Sequence, residues 1–181
     1  MTWLNTKNCY GNLSILMHWL MVLLFIAAYS TIELRGVFEK GTPDYDLIKY
    51  AHFVIGLSIL SLAIARLSMR NLQTAPESIG DANSLQNKLA KNMHYLLYGF
   101  MIVMPILGWL TISAEGKALQ ILGFSVPMLV SPDHDLAEVF EEVHEIIGTL
   151  GYFLIGGHAA AALFHHYLLK DSTLKRMLGM N

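Results

Sequence analysis

Four long apolar stretches, separated by polar segments, dominate the hydrophobic pattern of the chain. They run approximately from Leu13 to Ile32, from Leu47 to Leu67, from Met93 to Ser113 and from Glu145 to Leu169. An α-helix needs about 20 apolar residues to cross a hydrocarbon core, and each stretch meets that length. The pattern therefore predicts an all-α fold, a transmembrane four-helix bundle that forms a single domain over residues 1–181.

Two of the connections between these stretches are long. The connection from Asn71 to Lys91 is polar and contains Pro76 and Gly80, which is typical of a soluble loop. The connection from Ala114 to Val143 includes a semi-apolar piece, residues 118–130, that is too short to span a membrane. We expect this piece to lie at the membrane surface or to fold over the bundle, and a capping lid is a further alternative.

The composition also indicates a membrane protein, since 54% of the residues are hydrophobic and only 14% are charged. Cytoplasmic loops retain Lys and Arg. Eight of the twelve Lys and Arg residues fall in the N-terminal segment, the connection between the second and third stretches with its flanks, and the C-terminal tail. We therefore expect a multi-pass protein of the bacterial inner membrane with both termini in the cytoplasm. We expect the protein to interact with the lipid bilayer, and we expect no nucleic acid among its partners.

Cysteine chemistry is limited, because Cys9 is the only cysteine. A single cysteine excludes an internal disulfide and a cysteine cluster for zinc, and the chain has no CxxCH signature of covalent haem attachment. Any haem is therefore expected to be held non-covalently, with Cys9 as a bystander.

Two of the eight histidines, His144 and His158, lie 14 residues apart on the fourth apolar stretch. This spacing is a rotation of roughly 1,400°, within about 40° of four whole turns, so both side chains share one helix face. Their separation along the helix axis is about 21 Å, which places one histidine near each membrane surface. The spacing predicts two porphyrins stacked inside one bundle.

Each of these histidines then needs an axial partner at the same depth on another helix. His52 begins the second stretch at the outer surface and matches His144, whereas His18 begins the first stretch at the inner surface and matches His158. Iron with two histidine ligands has no open coordination position, so such haems carry electrons and do not bind oxygen. The histidine pattern therefore predicts electron transfer through two haem b groups.

Four glycines lie close to these histidines in the sequence: Gly56, Gly148, Gly156 and Gly157. A porphyrin that lies flat against a helix needs neighbours without bulk, and glycine supplies them. The alternative is close helix packing by small residues, which is common in membranes. A single intramembrane histidine can likewise serve only as a hydrogen-bonding residue between helices.

Three further histidines have several interpretations. His94 opens the third stretch and could be a spare ligand, a quinone contact or an interfacial residue. His165 and His166 close the fourth stretch, where they could handle protons or bind a quinone because imidazole titrates near neutral pH. Interfacial anchoring beside Tyr167 is the alternative for both.

Basic residues at the ends of the stretches are candidates for contacts with haem propionates or other anions. Arg66 and Arg70 are the candidates on the inner side, and Arg35 and Lys49 are the candidates on the outer side. The alternative for each is ordinary snorkelling of a long side chain to the interface. His134, in the acidic outer connection, is assigned no role.

Several short segments spread over nearly the whole chain form a recognisable set. They are MHWL at 17–20, ELRG at 33–36, ARL at 65–67, residues 105–108, HE at 144–145, LGYF at 150–153, GHAAAAL at 157–163, HHY at 165–167 and KDSTL at 170–174. Together they resemble the prokaryotic cytochrome b561 family of four-helix, two-haem membrane proteins. The resemblance implies the four ligands His18, His52, His144 and His158, the same set that the spacing predicts.

The tail, from Gly157 onward, resembles the branch of this family that contains superoxide oxidase. That resemblance implies electron transfer from periplasmic superoxide through two haems to ubiquinone, so that superoxide becomes oxygen and ubiquinone becomes ubiquinol. An anionic substrate benefits from a positively charged approach. The sequence departs from this expectation, because acidic residues crowd the approach to His144: Asp133, Asp135, Glu138, Glu141, Glu142 and Glu145.

Only four basic residues on the outer side could attract an anion: Arg35, Lys40, Lys49 and Lys117. A second hypothesis is therefore an electron-transfer cytochrome b subunit that exchanges electrons between quinone or quinol and a periplasmic redox protein. A third is a haem-free transporter whose histidines relay protons. The third suffers because acidic residues are absent within the spans, and Glu33 and Glu145 lie only at their ends.

Overall fold

A computed structural model describes residues 2–81, 83–121 and 123–180. Ala82, in the predicted polar connection 71–91, lies outside the described residues. Leu122, in the semi-apolar piece 118–130, lies outside them as well.

Four long helices form the framework of the described chain. They are α1 (Asn12–Arg35), α2 (Pro43–Leu72), α3 (Leu85–Ala114) and α4 (His134–Tyr167), and a short helix, α5 (Thr173–Met177), follows. Each of the four long helices is long and apolar enough to cross a membrane. The predicted stretches fall within these helices, except for the last two residues of the fourth. The fold is all-α in its framework, as expected of a transmembrane four-helix bundle.

Local sequence signals explain where α2 begins. Pro43 occupies the first helical position, where its missing N–H is not needed. The Thr42 side chain accepts a hydrogen bond from the Tyr45 N–H at 3.4 Å, as an N-terminal cap does. Asp44 and Asp46 in the first turn and Arg70 in the last turn complement the helix dipole.

A short antiparallel hairpin between α3 and α4 was not predicted from the sequence. Strands β1 (Leu119–Ile121) and β2 (Phe124–Val126) pair across a tight turn. Gly123 in this turn has φ +83°, a conformation that glycine adopts without steric cost. The hairpin occupies the semi-apolar piece 118–130.

The chain divides into two compact units, and the division cuts all four long helices. The first unit comprises Met1–Met21, Leu62–Phe100 and Gly151–Asn181, and the second unit comprises Val22–Ser61 and Met101–Leu150. In the first unit the buried core includes Met21, Ala63 and Phe100, and in the second it includes Phe53, Ile59 and Met101. Large apolar side chains on the spans, such as Leu23 and Phe153, remain exposed, as expected of helices that face lipid.

Candidate functional site

The first unit brings His18 of α1 and His158 of α4 together, as the sequence predicted for the inner pair. Their ring centroids lie 6.3 Å apart, with 70° between the ring planes. Both side chains are half-buried. We refer to them as the first histidine pair.

The second unit contains the matching arrangement, with His52 of α2 and His144 of α4. Their ring centroids also lie 6.3 Å apart, with 77° between the ring planes. Both side chains are half-buried. These residues form the second histidine pair, and its spacing is the same as that of the first.

Both spacings fit a metal ion held between two imidazole rings. Two metal–nitrogen bonds of about 2.0–2.1 Å, plus the offset of each nitrogen from its ring centre, place the ring centres roughly 6 Å apart. Among the described residues no group of three or more His, Cys, Asp or Glu side chains could hold a metal ion. A donor set of two imidazoles suits haem iron, because the porphyrin supplies the four remaining nitrogens.

Hydrogen bonds fix the tautomer of His52. Its Nδ1 lies 3.1 Å from the Ala28 carbonyl and 3.0 Å from the Thr31 hydroxyl oxygen, and that hydroxyl donates to the same carbonyl at 2.7 Å. Because a carbonyl can only accept, Nδ1 must carry the proton. The Nε2 lone pair is therefore free to bind a metal, the usual arrangement for a metal-bound histidine.

The His144 ring packs closely against α3. A Cβ atom added at Gly108 would lie 3.3 Å from His144 Cε1 and 3.6 Å from Nδ1. Nδ1 is buried beside the Met104 carbonyl without a hydrogen bond of full geometry. Gly108 therefore leaves the space that the His144 ring occupies.

Two of the glycines singled out in the sequence are not required by close packing. A Cβ added at Gly56 or at Gly156 would meet nothing within 4 Å, whereas one at Gly148 would lie 3.4 Å from Met104 Cε. The helix-packing alternative therefore accounts for Gly148 but not for Gly56 or Gly156. Gly56 lies about one helical turn after His52 and so shares its side of α2, where open space fits a flat cofactor, whereas Gly156 is exposed on α4.

His94 lies beside the first histidine pair. Its ring centroid is 5.6 Å from that of His158. Its Nδ1 donates to the Ala90 carbonyl of its own helix at 2.7 Å, so Nε2 is the nitrogen available to a ligand. His94 is thus placed close enough to contact a group bound at the first pair.

The predicted anion contacts of the inner side, Arg66 and Arg70, stack on tyrosines of α3. The Arg66 guanidinium lies 6.0 Å from the Tyr98 ring centroid, and that of Arg70 lies 5.4 Å from Tyr98 and 5.9 Å from Tyr95. A contact with a tyrosine ring orients a guanidinium, and the N–H groups in the guanidinium plane stay available to bind an anion.

Glu115 engages two of the basic residues predicted to attract an anion on the outer side. Its carboxylate lies 2.9 Å from Lys117 Nζ and 3.4 Å from Lys49 Nζ. Burial alone would raise the pKa of Glu115, but hydrogen bonds and charge from Lys117 and Lys49 outweigh burial and lower it. No local sequence pattern indicates this cluster, because Lys49 lies in α2 whereas Glu115 and Lys117 follow α3.

At the end of α4, His165 pairs with Asp171. The His165 Nδ1 donates to the Asp171 carboxylate at 2.5 Å, and the same carboxylate accepts the Thr173 N–H at 2.8 Å. Lys170, at φ +54°, reverses the chain, and the Asp171 N–H then bonds the His165 carbonyl. Burial alone would raise the pKa of Asp171, but the bonds from His165 and Thr173 outweigh burial and lower it.

The remaining predicted residues lie elsewhere. The His166 ring contacts Tyr167, with 4.8 Å between ring centroids. Arg35 is half-buried at the end of α1. His134, which was assigned no role, is exposed and lies 3.5 Å from Glu138.

The comparisons with known proteins agree on one family. The family model described as "Prokaryotic cytochrome b561" matches residues 9–180. The chain is 36% identical to "Cytochrome b561 homolog 1" of Escherichia coli (strain K12), over 94% of this chain and 97% of that protein. It is 35% identical to "Probable superoxide oxidase CybB" of Yersinia pestis, over 93% of this chain and 95% of that protein.

A more distant relative is "Cytochrome b562" of Cereibacter sphaeroides, which is 27% identical over 93% of this chain and 94% of that protein. The family match covers nearly the whole chain and includes both histidine pairs. Membership implies haem b, and the family consists of multi-pass proteins of the inner membrane, in agreement with the four candidate spans. This chain belongs to the prokaryotic cytochrome b561 family and is a membrane electron carrier.

Proposed function

We propose that this protein holds two haem b groups, one on each histidine pair, and transfers electrons across the inner membrane to ubiquinone. The observation that carries the proposal is the equal spacing of the two pairs, 6.3 Å between ring centroids in each. The tautomer of His52, with its proton on Nδ1, adds support because it leaves Nε2 available. The proposed ligands are His18 and His158 for one haem and His52 and His144 for the other.

The chain's own residues hold these ligands in position. Ala28 and Thr31 keep the His52 ring in one tautomer and one orientation. Gly108 leaves room for the His144 ring against α3. When bound, a haem with two histidine ligands supplies reversible one-electron transfer without an open coordination position.

We also propose that both termini of the chain face the cytoplasm. The distribution of Lys and Arg supports cytoplasmic termini. In that orientation the first histidine pair serves the cytoplasmic side and the second serves the periplasmic side. Arg66 and Arg70 would then bind the propionates of the inner haem, and Arg35 and Lys49 would bind those of the outer haem.

We propose superoxide as the periplasmic electron donor. Two superoxide anions lose one electron each and become two molecules of O2, and one ubiquinone takes up these two electrons with two protons to become ubiquinol. The Yersinia pestis relative is named "Probable superoxide oxidase CybB", and this name supports superoxide as the donor. Arg35, Lys40, Lys49 and Lys117 would supply the attraction for the anion.

The reduction of ubiquinone needs protons, and we place this step beside the first histidine pair. His94 lies next to His158, and its free Nε2 suits a hydrogen bond to a quinone oxygen. The Asp171 carboxylate fixes the His165 ring through Nδ1, which leaves Nε2 to exchange a proton.

A second candidate function is an electron-transfer subunit that exchanges electrons between quinone or quinol and a periplasmic redox protein. It is favoured by the pairing of Lys49 and Lys117 with Glu115, which reduces the field available to attract an anion. A cavity of about 340 Å³ beside this cluster is lined by further acidic residues, including Glu138 and Glu141. A basic protein surface would complement this acidic side.

Exposure of the purified protein to superoxide separates the two functions. Superoxide generated enzymatically should reduce the haem absorption bands quickly, superoxide dismutase should abolish this reduction, and added ubiquinone should reoxidise the bands. If dithionite reduces the bands but superoxide does not, the electron-transfer subunit is the better description. The matched control is a preparation that receives the generating enzyme without its substrate.

A further inference from the structure

The segment 118–130, which contains the hairpin, has two chemically distinct faces. It contains no charged residue. Gln120 pairs with Ser125, so these polar side chains share one face. Its other face, which we term the apolar hairpin face, consists of Leu119, Ile121, Phe124 and Val126.

Two hydrogen bonds hold the chain after β2 alongside α3. The Trp109 indole Nε1–H donates to the Pro127 carbonyl at 2.9 Å, and the Ser113 hydroxyl oxygen accepts the Leu129 N–H at 3.1 Å. Trp109 lies five residues before Ala114, the last residue of α3, which is about 7.5 Å back along the helix axis. The segment therefore does not extend away from α3 but returns along the end of a membrane-spanning helix.

Large apolar side chains are exposed in this segment. Phe124 is 78% exposed, Met128 47% and Leu129 44%. Met128 and Leu129 directly follow Pro127, whose carbonyl accepts the Trp109 hydrogen bond, and tryptophan is enriched at the boundary between lipid headgroups and acyl chains. Within the apolar hairpin face Phe124 is the exposed side chain, and Leu119, Ile121 and Val126 are half-buried.

We propose that segment 118–130 is an interfacial membrane anchor whose apolar hairpin face enters the headgroup–acyl boundary of a phospholipid leaflet at the end of α3. A two-stranded hairpin has unpaired N–H and C=O groups along both edges, so it cannot enter the hydrocarbon core. It can occupy the interface, where apolar residues typically reach a depth of about 5–10 Å. Gln120 and Ser125 then face water.

An anchor corresponds to the first alternative considered for this segment, a position at the membrane surface, and differs from a capping lid. A lid closed over the protein would turn Phe124 inward, and an anchor directs it to lipid. The inference does not depend on haem binding or on the electron donor, so it can hold or fail separately from the proposed function.

Spin labels test the depth of each face directly. In a Cys9→Ser background the chain has no other cysteine, so single labels can be placed in F124C, in M128C and, as the matched control on the opposite face, in S125C. The proteins are reconstituted in phospholipid nanodiscs, and power saturation measures the accessibility of each label to O2, which concentrates in lipid, and to water-soluble Ni-EDDA. All three positions are exposed, so the labels do not displace buried side chains.

We expect the labels at 124 and 128 to be accessible to O2 and shielded from Ni-EDDA, at a depth of about 5–10 Å below the phosphates. The label at 125 should be accessible to Ni-EDDA. Equal, water-like accessibility at 124 and 125 would overturn the proposal. Exclusion of both reagents from position 124, as a lid packed on protein would give, would overturn it as well.

Discussion

The substitution Gly108→Ala tests how closely α3 determines the position of His144. Gly108 lies opposite the His144 ring, and the added Cβ would lie 3.3 Å from Cε1 and 3.6 Å from Nδ1. Contacts between 3.0 and 3.4 Å require the neighbour to move by a few tenths of an ångström. Such a movement would shift the His144 ring relative to His52, whose ring centroid now lies 6.3 Å away.

The size of the effect follows from the cost of overpacking, which is about 1–3 kcal/mol for one added methylene-sized group. If this cost falls on ligation at the second histidine pair, the affinity for that haem decreases by roughly 5- to 150-fold. The first histidine pair lies in the other unit, so its haem should keep its affinity and its spectrum.

Haem content and low-spin EPR signals, measured during haem titration of the purified protein, resolve the two haems. The matched control is Gly99→Ala on the same helix, where an added Cβ meets nothing within 4 Å. Both variants gain the same helix propensity, so only the contact differs. Equal effects of Gly108→Ala and Gly99→Ala, or an equal change in both haems, would refute a role of Gly108 in positioning His144.

Three further predictions follow from particular contacts. Thr31→Val removes the hydroxyl beside His52 Nδ1 but keeps the shape of the side chain, so haem titration should show about 10-fold weaker haem binding at the second pair only. The control is Thr111→Val, because the Thr111 hydroxyl bonds a carbonyl of its own helix, and this variant should not change haem binding. Glu115→Gln releases Lys49 and Lys117, so superoxide should reduce the haems faster, with a steeper dependence on ionic strength; an unchanged rate at low salt would contradict steering by these lysines. Asp171 has a lowered pKa, so its charged form stabilises the fold at neutral pH, and this contribution is lost as pH falls below the ordinary value of 3.8. The difference in thermal midpoint between the wild type and Asp171→Asn should therefore shrink as the pH falls below about 4, and a difference that stays unchanged from about pH 4 down to about pH 3 would contradict it.

The framework of the fold could be predicted from the sequence because membrane-spanning helices are long and nearly continuous in their apolar character. The pairing of His144 with His52 and of His158 with His18 could be predicted for a related reason. Fourteen residues are close to a whole number of helical turns, so the sequence alone places His144 and His158 on one face. The partners then follow from the alternating direction of successive spans.

The hairpin could not be predicted, because each strand has only three residues and its apolar face is apparent only once the register is known. The Glu115 cluster depends on tertiary contacts between α2, the end of α3 and the residues that follow it, which no local pattern reports. The His165–Asp171 pair depends on the left-handed conformation of Lys170, a position where the sequence offers no glycine to signal the turn. Each of these features depends on contacts or backbone conformations that the hydrophobic periodicity of a helix or strand does not report.

The number of bound haems and the identity of their ligands can be measured together. Pyridine haemochrome analysis of haem-replete protein, with single alanine variants of His18, His52, His144 and His158, measures both. The account predicts two haem b per chain in the wild type and the loss of one in each variant, with His18 and His158 affecting one EPR signal and His52 and His144 the other. A wild-type protein that binds one haem or none, or a variant at one pair that removes the signal of the other pair, would contradict it.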